Sequence, residues 1–161
     1  MDILLIDDEK IIRETLSTFL VDQGHNVRTA PSGEDGLWAL EEQPADLVLS
    51  DVKMPGISGV EVLRRVRESW PGTEVVLITG YASVEDAAEA LRHGAYDFLL
   101  KPVRLAHLDA VARRCEERIR YARDNRELRA VVERLQELSE RKSKFLALAN
   151  HELRPPTTVA A

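Results

Sequence analysis

Five times in its first hundred residues the chain sets a short apolar run before an amphipathic stretch, and this alternation restricts the fold more than anything else in the sequence. The runs are 3–6, 27–30, 47–49, 75–78 and 98–100, the second of them weaker than the rest. Unbroken apolar runs of this length belong to strands buried on both faces, as in a parallel sheet. Between them apolar residues recur with helical spacing over 10–23, 34–42, 58–69, 84–93 and from near 104 onward. Gly24, Gly72 and Gly94 stand near the ends of these stretches, where left-handed backbone suits glycine. Ser32 and Ser83 are placed to cap helix starts, the second with Asp86 three residues on. Five β/α units of this kind predict an α/β fold with a five-stranded, doubly wound parallel sheet.

The 161 residues suffice for one such domain and an extension. From 103 to 154 there is neither proline nor glycine. Leu108, Val111, Ala112, Cys115, Ile119 and Ala122 form a helical stripe expected to pack on the sheet. A polar stretch at 123–127 interrupts it. Leu128, Val131, Leu135, Leu138, Lys142, Phe145 and Ala149 then alternate spacings of three and four, the seam of a coiled coil over about three heptads with one flaw at Lys142. Five helices already serve the sheet, which argues against a lone helix packed on its own domain. The predicted organisation is a globular domain over 1–122 and a long helix over 123–161.

Composition removes several classes. Hydrophobic content of 44% with 31% charged residues is that of a globular protein, not a disordered one. No apolar run reaches the roughly 18–20 residues needed to span a bilayer, so no membrane segment is expected. The start, MDILLIDDEK, has no basic flank or cleavage site, and the chain is expected to be cytoplasmic. A single cysteine, Cys115, allows no internal disulfide, and its place on an apolar helical face points to packing. The net charge of −6 hides an asymmetry: residues 1–103 hold 9 Lys+Arg against 19 Asp+Glu, and residues 104–161 hold 13 against 9. The arginines of 113–134 are interleaved with Glu116, Glu117, Asp124, Glu127 and Glu133, which makes a solvated face rather than one tracking phosphates; no nucleic-acid partner is expected. No G-x-G-x-x-G follows the first strand, against a dinucleotide oxidoreductase.

Ligands of open parallel sheets bind beyond the carboxyl ends of the strands. Four strand ends here carry reactive side chains: Asp7-Asp8, Asp51, Thr79 and Lys101. Three crowded carboxylates repel unless a hard cation joins them, and Mg2+ suits such oxygen ligands. A carboxylate facing that cation can attack a phosphoryl group and form an acyl phosphate. Transfer then needs mainly charge neutralisation on the phosphoryl oxygens, which Mg2+ and a lysine supply.

The stretches LLIDDE, DVKMPGISG, ITGYAS and GAYDFLLKP together resemble the response-regulator receiver domain of two-component signalling, over about residues 1–122. The resemblance implies that Asp51 accepts the phosphoryl group. It implies that Asp7, Asp8 and Asp51 hold Mg2+ with the Lys53 backbone carbonyl, that Thr79 and Lys101 contact the phosphoryl oxygens, and that Phe98 is the aromatic switch. A cis bond before Pro102 and a tight turn through Met54-Pro55-Gly56 and Gly59 are expected as well.

The end of the chain, FLALANHELRPPTTV, resembles the H-box of a histidine-kinase dimerisation helix. On that likeness His151 is the phosphohistidine and Glu152 the acid that assists proton removal. Asn150, Pro155 and Thr157 depart from the pattern; Pro155 replaces a polar residue tied to phosphatase activity and has no side-chain donor. The expectation is the front of a hybrid histidine kinase. It is a homodimer through the coiled coil, served by a donor histidine kinase or phosphotransfer protein. The alternative is a response regulator whose coiled coil is itself the output and docks on a separate protein.

Overall fold

A computed structural model describes residues 1–80 and 83–155, the side chain of Val84 excepted. The elements run β1 (Asp2–Ile6), α1 (Lys10–Asp22), β2 (Asn26–Ala30), α2 (Gly33–Glu42), β3 (Leu47–Asp51), α3 (Gly59–Ser69), β4 (Glu74–Thr79), α4 (Val84–Arg92), β5 (Asp97–Leu100) and α5 (Leu105–Glu152). The strands form one parallel sheet in the order β2-β1-β3-β4-β5. The α/β architecture predicted from the five alternations is the one found.

Why those runs are continuously apolar is visible in the core. Successive residues of β1 face opposite sides of the sheet. Leu4 and Ile6 join Leu37, Leu40, Val62, Leu63 and Val66 of α2 and α3 on one side. Ile3 and Leu5 join Leu16 and Leu20 of α1 and Leu108, Val111, Ala112 and Cys115 of α5 on the other. Each fully buried Leu or Ile contributes roughly 1.5–3 kcal/mol relative to exposure. Breaking the alternation on either face would therefore undo a whole layer.

Local chemistry sets the helix starts. Ser32, Ser58 and Ser83 cap α2, α3 and α4, their hydroxyls accepting the amides of Asp35, Glu61 and Asp86 at 3.1, 3.2 and 3.1 Å. Two of these were expected; Ser58 was not singled out. At the other ends Gly24 and Gly94 adopt positive φ, as anticipated, but Gly72 does not. α3 ends at Trp70, whose amide still bonds the Val66 carbonyl, and the following Pro71 keeps Trp70 out of helical geometry. The turn closes from the Thr73 amide to the Trp70 carbonyl at 2.9 Å, and Gly72 needs no left-handed backbone.

Two compact units are distinguished, Met1–Ile119 and the part from Arg120 onward. In the first, the α5 stripe is buried at Leu108, Val111, Ala112 and Cys115 and partly buried at Ile119. Burial pushes the Cys115 thiol up to about 12, as befits an inert packing residue. Ala122 departs from the expectation: it is exposed, so the packed stripe ends one turn earlier than its spacing suggested. In the second unit α5 stays helical through the polar stretch 123–127 to Glu152, and every residue from Arg120 to Leu148 is exposed. No described helix is long and apolar enough to cross a membrane.

Candidate phosphoacceptor site

The sheet order decides which strand ends meet. β1 and β3 are neighbours with Ile6 opposite Ser50, so Asp7 follows β1 at the level of Asp51. β4 flanks β3 with Ile78 opposite Asp51, and β5 flanks β4 with Leu100 opposite Thr79. The chain turns one way from β1 to β2 and the other way to β3, so this edge is the switch point where parallel sheets bind ligands.

Asp7, Asp8 and Asp51 bring one carboxylate oxygen each to within 4.8 Å of one another. Asp7 is fully buried and Asp51 only 5% exposed, while Asp8 is open to solvent. Lys101 reaches in from the end of β5: its Nζ lies 3.1 Å from Asp51 Oδ2, where it donates a hydrogen bond, and 3.1 Å from Asp7 Oδ2. The approach to Asp7 is that of an ion pair only. Oδ2 of that buried carboxylate meets no donor in hydrogen-bond geometry and faces the lysine charge alone, a place a cation can share. Two buried carboxylates, one orphaned oxygen and an exposed third acid suit a hard divalent ion.

Crowding shows in the protonation equilibria. Burial raises the Asp51 carboxyl above its usual range, and the Asp7 charge adds to this. The Lys101 hydrogen bond and charge and the Lys53 backbone amide oppose it without cancelling it. For Lys101 burial favours the neutral amine, but Asp51 and Asp7 outweigh it and its pKa is raised. The lysine is thereby held in its charged form beside the two carboxylates.

The loop that leaves Asp51 is tightly folded. Gly59 donates its amide to the Val52 carbonyl at 3.0 Å, and a Cβ at Gly59 would run into the Asp51 carbonyl oxygen. The Lys101–Pro102 bond is cis, as anticipated. Phe98 is half-buried, and with Thr79, Leu77, Val60, Ala87 and Ala90 it borders a cavity of about 250 Å3.

The chain belongs to the response regulator receiver domain family. The family model matches residues 3–113. The chain is 45% identical over 108 residues to the transcriptional regulatory protein AfsQ1 of Streptomyces coelicolor, covering 67% of this chain and 48% of that protein. It is 39% identical over 112 residues to the regulatory protein AtoC of Escherichia coli, covering 70% and 24%. Among solved structures, NtrX from Brucella abortus superposes with a TM-score of 0.74 at 36% identity, over 79% of this chain and 29% of that one. A receiver domain protein from Clostridium thermocellum gives 0.71 at 32%, over 75% and 98%. The chain thus spans less than half the length of the curated relatives it matches.

The receiver brings together Asp7, Asp8, Asp51 and Lys101 at direct contact and sets Thr79 at the neighbouring strand end. His151 and Glu152 lie elsewhere in the chain, exposed in the last turn of α5, and Pro156 and Thr157 fall outside the described residues, as do Tyr81 and Ala82. Two contacts escaped sequence reading. Glu9 offers Oε1 to Lys101 Nζ at 3.3 Å, and Arg13 donates to the Asp7 carbonyl at 2.7 Å, tying α1 to the end of β1. Glu9 continues the acidic run of LLIDDE and was legible there. Arg13 carries no such signal, because its partner is main chain.

Proposed function

We propose that this receiver takes a phosphoryl group on Asp51 from the phosphohistidine of a histidine kinase or phosphotransfer protein. The observation that carries the reading is the Lys101 ammonium set 3.1 Å from both buried carboxylates at the sheet's switch point. An Asp51 oxygen attacks the donor phosphorus, a P–O bond forms, and the P–N bond breaks with its electron pair retained by the imidazole. Lys101 moves from the carboxylate to the incoming phosphoryl oxygens, and the Thr79 hydroxyl donates to another. Asp7, Asp8, Asp51 and the Lys53 carbonyl fit Mg2+, which would neutralise phosphoryl charge. Supplied with acetyl phosphate and Mg2+, the chain should gain the mass of one phosphoryl group, and Asp51→Asn should gain none. Equal labelling of the variant would sink the assignment.

We take the receiver to cover 1–122 and the signalling helix 123–161. What favours a hybrid histidine kinase is the H-box likeness of FLALANHELRPPTTV together with the exposure of His151 and Glu152. If Leu128 is an a position, His151 falls at c, off the seam and open to a partner. In this reading 128–149 pairs two copies. AfsQ1 and AtoC carry the names of a transcriptional regulatory and a regulatory protein, which favours the second reading, a response regulator whose helix is the output. Adding a kinase ATP-binding domain in trans separates the two. Acid-labile, alkali-stable phosphate in Asp51→Asn that disappears in Asp51→Asn/His151→Gln supports the kinase helix; its absence leaves the output helix.

A further inference from the structure

We propose that Glu34 is a positioning residue for the phosphoacceptor site, holding the loop between β3 and α3 in the arrangement that presents the Lys53 backbone to Asp51 and to a bound cation. The proposal rests on reading Asp51 as phosphoacceptor.

Glu34 is the second residue of α2, far from Asp51 in sequence and absent from the acidic cluster. Its Oε1 accepts the Ile57 amide at 2.9 Å, a bond across 23 residues. Three features show that the contact is built rather than incidental. Gly56 takes φ +81, a backbone that favours glycine, and so brings the loop directly against the Glu34 carboxylate. Gly33, beside Glu34, leaves the space its Cβ would fill to the Ile57 side chain, which packs against the core. Consecutive residues of α2 thus grip Ile57 by its amide and by its side chain. Thirdly, the Glu34 carboxyl is held below its usual range, with the Ile57 amide the largest cause, followed by its own amide; the anion is the form this grip selects.

What the grip controls follows from the other fastenings of the loop. Val52 is fixed through its amide to the Ile78 carbonyl, Gly59 through its amide to Val52, and Ser58 caps α3. The stretch 53–57 bulges between these ties. Within it the Lys53 amide bonds the Asp51 carboxylate, and the Lys53 carbonyl is the candidate ligand. Mg2+ tolerates little departure from octahedral geometry, so small rotations of that peptide weaken binding. A bond from α2 to the far end of the bulge restricts such rotations at no cost in charge near the cation.

Glu34 also sits in the first turn of α2, where any acid favours the helix N-terminus. Asp35 shares that position and bonds Ser32 Oγ instead of the loop, so it controls for the helix effect. Hydrogen exchange on the metal-free chain and Mg2+ calorimetry should be run on Glu34→Ala, Glu34→Gln and Asp35→Ala. The expected result is several-fold faster exchange across 53–58 and a several-fold higher Mg2+ Kd for Glu34→Ala. Glu34→Gln, which keeps an acceptor oxygen, and Asp35→Ala should both stay near wild type. Unchanged exchange and affinity in Glu34→Ala overturns the proposal. So does a Glu34→Gln as impaired as the alanine, which assigns the effect to charge, or an equally impaired Asp35→Ala, which assigns it to the helix start. A wild type that neither binds Mg2+ nor labels at Asp51 overturns the phosphoacceptor reading and the proposal with it.

Discussion

Asp51 and Lys101 share one 3.1 Å contact that favours the charged form of each, yet burial leaves them in opposite balance. The lysine gains by its surroundings, whereas the carboxylate, buried beside Asp7, ionises at a cost the lysine does not fully offset. The sign for stability follows. With its folded pKa raised above 3.8, Asp51 binds its proton more tightly in the native state than in the unfolded chain. Its contribution is therefore favourable in acid and is lost as pH rises from the unfolded value through the raised one. Asp51→Asn removes that liability. In metal-free buffer near neutral pH the variant should melt above wild type. The gain should vanish below pH ~4, where the native carboxyl is protonated. Scanning calorimetry across pH checks it, and a variant less stable at neutral pH contradicts the account. Asp7, Asp8, Asp51 and Lys101 were all legible in sequence because each closes an apolar run. Glu34 was not, because its partner is a backbone amide in another element, and no side-chain pattern marks that.

α5 carries two periodicities in one helix, and they solve different problems. As far as Ile119 its apolar residues lie against the sheet, and the helix gains most of its stability from that packing. Beyond it, Leu128, Leu135, Leu138 and Phe145 are 62, 60, 53 and 69% exposed. An apolar stripe of this length left in water, broken only at Lys142, fits an interaction surface. Pairing of two copies along a and d would cover it, and a charge at a central position should prevent that. If the seam pairs two copies, the chain should sediment as a dimer and Leu135→Glu as a monomer with lower helix content. A chain cut after Ala122 should be monomeric as well. A dimer surviving in the truncated chain would place the interface on the receiver. The seam could be read from spacing alone; where the packed stripe ends could not. Ala122 continues the helical spacing of the packed stripe and is nevertheless exposed, which spacing alone does not show.

For the whole molecule the question is how a phosphoryl group at one sheet edge is felt in a helix that begins beside β5. Thr79 and Phe98 border the same cavity of about 250 Å3, room into which the Phe98 ring would turn if, as proposed, Thr79 moved toward a phosphoryl group on Asp51. α5 follows β5 directly and remains helical through 123–127, so a shift at its start has a continuous element to act on. Such coupling requires two arrangements that the phosphoryl group stabilises unequally. Spin labels near residue 138 in each copy should give different distance distributions with and without beryllofluoride. Identical distributions would mean that the receiver signals through its own surface instead.

Fold class, strand and helix order and the acidic constellation were fixed by the residues alone, because period-two and period-3.6 burial leave different one-dimensional patterns and reactive groups stop the apolar runs. Sheet order, the 3.1 Å placement of Lys101 between Asp7 and Asp51, the Glu9 contact and the Glu34 grip on Ile57 were decided only in three dimensions. They depend on which strands pair and on where the backbone of distant segments comes to lie. A sequence records which side chains are available, but main-chain amides and carbonyls are the same at nearly every position, so the bonds they make become specific only once the chain is folded.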